Sequence, residues 1–85
     1  MSSITYYAIV DYRSTPKEPA GLARRRVLDT GEIYDEALNR GLEWEFTPLI
    51  TEWRRAESTD DLVEVSKEEA ERIIEGFRAR WQAEA

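Results

Sequence analysis

The sequence predicts an α+β fold: an antiparallel β-meander of about four strands with two helices packed on one face, in the order β-β-β-β-α-(β)-α. Three observations carry this prediction. Side chains alternate over residues 4–12, Asp/Asn-x-Gly turn signals recur at 29–31 and 39–41, and the apolar period becomes helical after Thr47 and again after Ser66. The 85 residues make a single domain, 1–85, and 41% apolar residues supply enough side chains for one core.

The stretch ITYYAIVDY (4–12) reads as the first strand. Ile4, Tyr6, Ala8, Val10 and Tyr12 share one face and are assigned to the core; Thr5, Tyr7, Ile9 and Asp11 share the other. Two prolines and a glycine make 13–21 a loop. Asp29-Thr30-Gly31 reads as a three-residue hairpin loop in which Gly31 takes the left-handed conformation. Asn39-Arg40-Gly41 repeats the pattern and marks either a second hairpin turn or a bulge. The flanking strands are 22–28, 32–38 and 42–46, with Leu42, Trp44 and Phe46 on one side of the last.

A helix follows over 47–58, with Thr47 as N-cap, Pro48 at the first helical position, and Leu49, Ile50, Trp53 and Ala56 along one face. Leu62–Val65 makes a short extended piece. The final helix opens on a capping box, Ser66-Lys-Glu-Glu69, and carries Ala70, Ile73, Ile74, Phe77 and Trp81 at helical spacing. Glu68 and Arg72 stand four apart in the favourable order, and Gly76 weakens the helix by about 1 kcal/mol relative to Ala.

Composition narrows the chemistry. Cysteine and histidine are both absent, which removes thiol nucleophiles, disulfides, histidine acid–base catalysis and the usual donors of tetrahedral zinc. Neither a Gly-rich phosphate loop nor a Gly-x-Ser-x-Gly elbow occurs, and the carboxylates (Asp60–Asp61, Glu43 with Glu45, Glu68–Glu69) suit solvated faces or helix starts. No enzyme, metal or cofactor is expected. A small carboxylate-based enzyme ranks third among the readings. No leader and no membrane-spanning segment is expected either, which makes a cytoplasmic protein the default.

Arg24, Arg25 and Arg26 stand in a chain of net charge −6. If residues whose numbers sum to 60 face each other, Arg25 meets Asp35 and Arg24 meets Glu36; a sum of 61 pairs Arg26 with Asp35 and Arg25 with Glu36. Either register gives two of the arginines carboxylate partners across the strand. The alternative is a nucleic-acid surface in which Arg24 to Arg26 act with Tyr7, since a sheet bearing Arg and Tyr can stack bases. An acidic chain disfavours that alternative.

The aromatics Tyr6, Tyr12, Trp44, Phe46, Trp53, Phe77 and Trp81 take core assignments. Tyr7 and Ile9 point away from that core and are expected to be exposed. Together with Arg24 and Arg26 they form the candidate interaction surface. The run of YYAIVDYR, TPLI and VSKEEAERIIE resembles small α+β proteins of actinobacterial genomes over most of the chain. That resemblance implies the fold and brings no activity and no site residue. The expected function is a small non-enzymatic protein-interaction module, acting through an exposed sheet face or the 13–21 loop, whose partner is another protein or a second copy of itself.

Overall fold

A computed structural model describes residues 2–83. The chain folds in the expected order: β1 (Ser3–Val10), β2 (Gly21–Val27), β3 (Ile33–Leu38), β4 (Trp44–Phe46), α1 (Leu49–Arg54), β5 (Asp61–Val65) and α2 (Lys67–Ala83). The strands form one antiparallel sheet in the order β4-β3-β2-β1-β5. The extended piece after α1 thus becomes the edge strand beside β1, pairing Tyr6 with Val65 and Val10 with Asp61.

The two helices lie on opposite faces, which corrects the expectation that both pack on one. Ala70, Ile73 and Phe77 of α2 bury against Ala8, Leu22 and Leu38, with Tyr6, Val10, Leu42, Trp44, Val65, Ile74 and Trp81 around them. Ile50 of α1 buries against Tyr7, Ala23 and Leu62, flanked by Ile9, Leu49 and Trp53. The physical reason is the two-sided composition of β1. Both parity sets of that strand carry large apolar groups, so both faces need a cover. Topology supplies it: the chain leaves the β4 edge, crosses one face as α1, adds β5 at the far edge and returns over the other face as α2.

The β2–β3 hairpin takes the register in which opposed numbers sum to 60, with Arg25 facing Asp35 and Arg24 facing Glu36. Gly31 takes φ +90° at the third loop position, and the Leu28 amide closes the loop on the Glu32 carbonyl at 2.9 Å. Asn39–Gly41 is also a hairpin turn, but shifted by one residue. The Asn39 amide bonds the Glu43 carbonyl, so the loop is 40–42 and Leu42, not Gly41, takes the left-handed conformation at φ 62°. A non-glycine residue there costs about 1 kcal/mol. Offsetting contacts are visible: Leu42 packs on the α2-side core, and Asn39 Oδ1 accepts the amides of Gly41 (2.9 Å) and Glu43 (3.0 Å).

Three boundaries differ from expectation. β1 stops at Val10 because Asp11 turns the chain, its carboxylate accepting the Arg13 amide at 2.8 Å, and Tyr12 is 87% exposed rather than in the core. α1 spans only Leu49–Arg54; Pro48 is its cap residue and Thr47 Oγ1 accepts the Leu49 amide at 3.2 Å. Ala56 at φ 59° ends it, outside the helix and exposed. In α2, Ser66 Oγ accepts the Glu69 amide at 3.1 Å as expected of an N-cap. Glu69, however, does not close the box. Its carboxylate takes Arg72 in a two-point pair at 2.7 and 2.6 Å, a pair expected instead from Glu68.

Candidate interaction surface

Strand pairing sorts the three arginines between faces. Arg24 and Arg26 lie opposite Tyr6 and Ile4 on the α2 side, while Arg25 lies opposite Thr5 on the α1 side. Arg25 holds Asp35 through two parallel bonds, Nε at 2.7 Å and Nη2 at 2.8 Å, and the pair is largely covered by its surroundings. Hydrogen bonding to Asp35 raises the Arg25 pKa above its ordinary value.

On the other face Glu36 stands between two guanidiniums. Its Oε1 accepts Arg24 Nε at 2.9 Å and Arg26 Nε at 2.8 Å. Hydrogen bonding from Arg26, and then from Arg24, holds the Glu36 carboxyl below its ordinary value against the opposing effect of burial. The arginines also cover aromatic rings: Arg24 lies 4.1 Å from the Trp44 centroid and Arg26 lies 5.3 Å from that of Tyr34. The Tyr34 hydroxyl donates to Glu32 at 2.7 Å, which raises its pKa. The result is a ladder of rings, guanidiniums and one shared carboxylate across β2, β3 and β4.

Tyr7 belongs elsewhere. It is only 7% exposed, its ring tilted against Trp53 at 6.1 Å, and Ile9 is half-buried in the same cluster. The expected exposed Tyr7–Ile9 pair is therefore core under α1. The structure brings Arg24 and Arg26 together on one face and puts Tyr7 on the other with Arg25, so the residues named for the nucleic-acid alternative are divided between the two faces.

Exposure arises instead at a corner of the α2 face. The helix begins beside Val65 and runs toward the β3–β4 turn, where Arg40 lies 5.6 Å from the Trp81 ring centroid. The end of the sheet at the β2–β3 hairpin is left uncovered. There Ile4, Arg26 and Tyr34 form one row across β1, β2 and β3, and Phe46 lies beside Glu36 in the next. Ile4 is 48% exposed, Tyr34 42% and Phe46 80%, so Phe46 is not the core residue expected from its strand parity. Alternation correctly placed Ile4 and Phe46 on the α2 side. No sequence signal gives the reach of a helix across a sheet, and that reach separates buried Leu38 from exposed Phe46.

Among the described residues, no group of three or more acidic side chains is placed to hold a metal ion, and no helix is long and apolar enough to cross a membrane. Comparison with known protein families, curated proteins and solved structures finds no match to this chain, so this corner is characterised by its own geometry.

Proposed function

We propose that the protein is a small non-catalytic interaction module that binds another protein through the uncovered corner formed by Ile4, Arg26, Tyr34 and Phe46. The observation that supports this reading is the clustering of three exposed large apolar side chains on one patch, with a guanidinium at its centre. Scattered exposed hydrophobics need no explanation, but a contiguous aromatic and arginine patch has the composition of interface centres. The partner this patch suits carries an apolar surface with a carboxylate to meet Arg26. Nucleic acid is a poorer occupant, because Glu36 and Glu32 already engage Arg24, Arg26 and Tyr34 and would face incoming phosphates.

The test is site-specific photo-crosslinking in cells. A crosslinking side chain at position 46 captures a protein of defined mass, and Tyr34→Glu abolishes that capture while the circular-dichroism melt is unchanged. The same group at position 71, on the exposed side of α2, captures nothing comparable. Equal capture from both positions, or capture indifferent to Tyr34→Glu, overturns the reading. A captured mass equal to the chain's own identifies the partner as a second copy.

A further inference from the structure

β4 ends the sheet on its side, so its outer backbone has no neighbouring strand. Which groups face outward follows from the bonds it makes inward. The Asn39 amide bonds the Glu43 carbonyl and the Thr47 amide bonds the Asp35 carbonyl, with Ala37 opposite Glu45 between them. Bonding alternates along an antiparallel ladder, so residues 43, 45 and 47 turn their backbone groups toward β3. Trp44 and Phe46 turn theirs outward, each with one donor and one acceptor.

The side chains along this edge divide by face. Trp44 and Phe46 lie on the α2 side; the Trp44 ring is held under Arg24, whereas Phe46 stands free. Glu45 lies on the α1 side, in a row with Ala37, Ala23 and Tyr7, none of which offers it a cation. Among the described residues neither Glu45 nor its exposed neighbour Glu43 forms an ion pair, and Glu45 meets the Asn39 carboxamide at 3.4 Å. The edge is therefore apolar on one face and anionic on the other. The β5 edge differs: Leu62 is buried beneath α1 and Val63 is 37% exposed, so no ring stands free there.

β4 also stops one row short of Tyr34, because Phe46 opposite Glu36 is its last pairing with β3. A strand laid along β4 and continued past Phe46 runs in front of Tyr34. Resting on the interaction reading of that corner, we propose that β4 receives an extended segment of a partner protein as a sixth strand, one that alternates apolar and basic side chains. Main-chain bonds to Trp44 and Phe46 supply binding, and alternate side chains supply selectivity. The apolar set lies beside Phe46 on the α2 side, and a basic side chain meets Glu45 on the α1 side. That cation points away from Arg26, so a carboxylate farther along the segment still meets Arg26.

Charge decides between occupants. Opposite charges facing each other across a ladder stabilise it and like charges weaken it. Pairing Trp44 of one β4 with Phe46 of another, the arrangement that joins their outward groups, sets two Glu45 carboxylates face to face, so a second copy is a poor occupant. The acidic side chains thus guard the free edge against self-pairing and leave it open to a basic strand.

Fluorescence anisotropy with a fluorescein-labelled synthetic peptide of alternating Lys and Val tests the added strand. The peptide binds the full chain with a dissociation constant below roughly 1 mM, and Glu45→Lys weakens it about fivefold or more. Glu71→Lys makes the same charge change on the exposed side of α2 and shifts binding by less than about twofold. N-methylation of the Val amides abolishes binding, and that of the Lys amides does not, when the segment runs antiparallel to β4; the reverse pattern identifies parallel addition. No binding, equal weakening by the two substitutions, or the same response to both methylation patterns overturns the proposal. A crosslink from position 46 that depends on Tyr34 but survives Glu45→Lys leaves the corner reading intact and overturns the added strand alone.

Discussion

The two faces of the sheet solve the same covering problem with different means. On one, the 17-residue α2 buries a wide cluster from Ala8 to Leu38 and still leaves a corner bare. On the other, the 6-residue α1 covers a smaller cluster centred on Tyr7, and the two-point Arg25–Asp35 pair occupies the neighbouring ground. The short helix is thus supplemented by a paired charge, whereas the long helix gives way to aromatic and apolar side chains. Both faces use cross-strand ion pairs where helix cover ends, Arg25–Asp35 on one and Arg24–Glu36–Arg26 on the other, but only the α2 face sets them among exposed aromatic rings. The apolar corner is the surface the proposed interaction uses.

The sharpest way to break that comparison is to place the same charge on each face. Tyr7→Glu buries an unpaired carboxylate beneath Trp53 and is expected to unfold the chain at neutral pH, through a penalty of several kcal/mol. Phe46→Glu, on the open corner, should change stability by no more than about 0.5 kcal/mol. Urea denaturation of the two variants measures both. A folded Tyr7→Glu protein would show that α1 lifts off its face at little cost.

A smaller effect concerns the shared carboxylate. Glu36 is held below its ordinary pKa of 4.5 in the folded state, so the unfolded chain binds a proton more readily. Its contribution is fully present above pH 4.5 and lost as the pH falls through the lower folded value. Glu36→Gln should lower stability at neutral pH and flatten the loss on acidification. Asp11 and Glu69, shifted in the same direction, leave some slope in the variant. Melts between neutral and strongly acidic pH check this, and an unchanged acid limb would remove Glu36 from the account.

The smallest expected effect lies on α2. A Cβ added at Gly76 meets nothing within 4 Å, so Gly76→Ala should stabilise the protein by up to about 1 kcal/mol. A loss of stability in the same denaturation assay would mean that the added methyl group disturbs the packing of α2.

Much of the fold was legible because its signals are local. The Asp29–Gly31 turn narrowed the β2–β3 register to two, of which the three-residue loop puts Arg25 opposite Asp35, and Ser66 with the Ala70, Ile73, Phe77 stripe placed α2. What escaped depends on tertiary reach. Tyr12 and Phe46 have the parity of core residues, but one lies beyond the strand's end and the other beyond the helix's cover. Tyr7 and Ile9 read as outward only if one parity set of β1 defines the whole core, but the second set carries large apolar groups of its own and α1 covers them. Leu42 took the left-handed position because its packing and the Asn39 carboxamide outweigh the preference for Gly41, a balance that no dipeptide pattern records.

The placement of β5 also bears on the order of assembly. Hairpins β2–β3 and β3–β4 close between residues near in sequence, whereas β1 gains its outer neighbour only when Asp61–Val65 arrives beside it. During synthesis the outer edge of β1, carrying Tyr6 to Val10, stays open until most of the chain has left the ribosome. An open apolar strand edge is a template for pairing with the wrong chain. The non-local closure by β5 is therefore the strand pairing expected to form last, and the interval before it is the one in which an exposed apolar edge is available for aggregation.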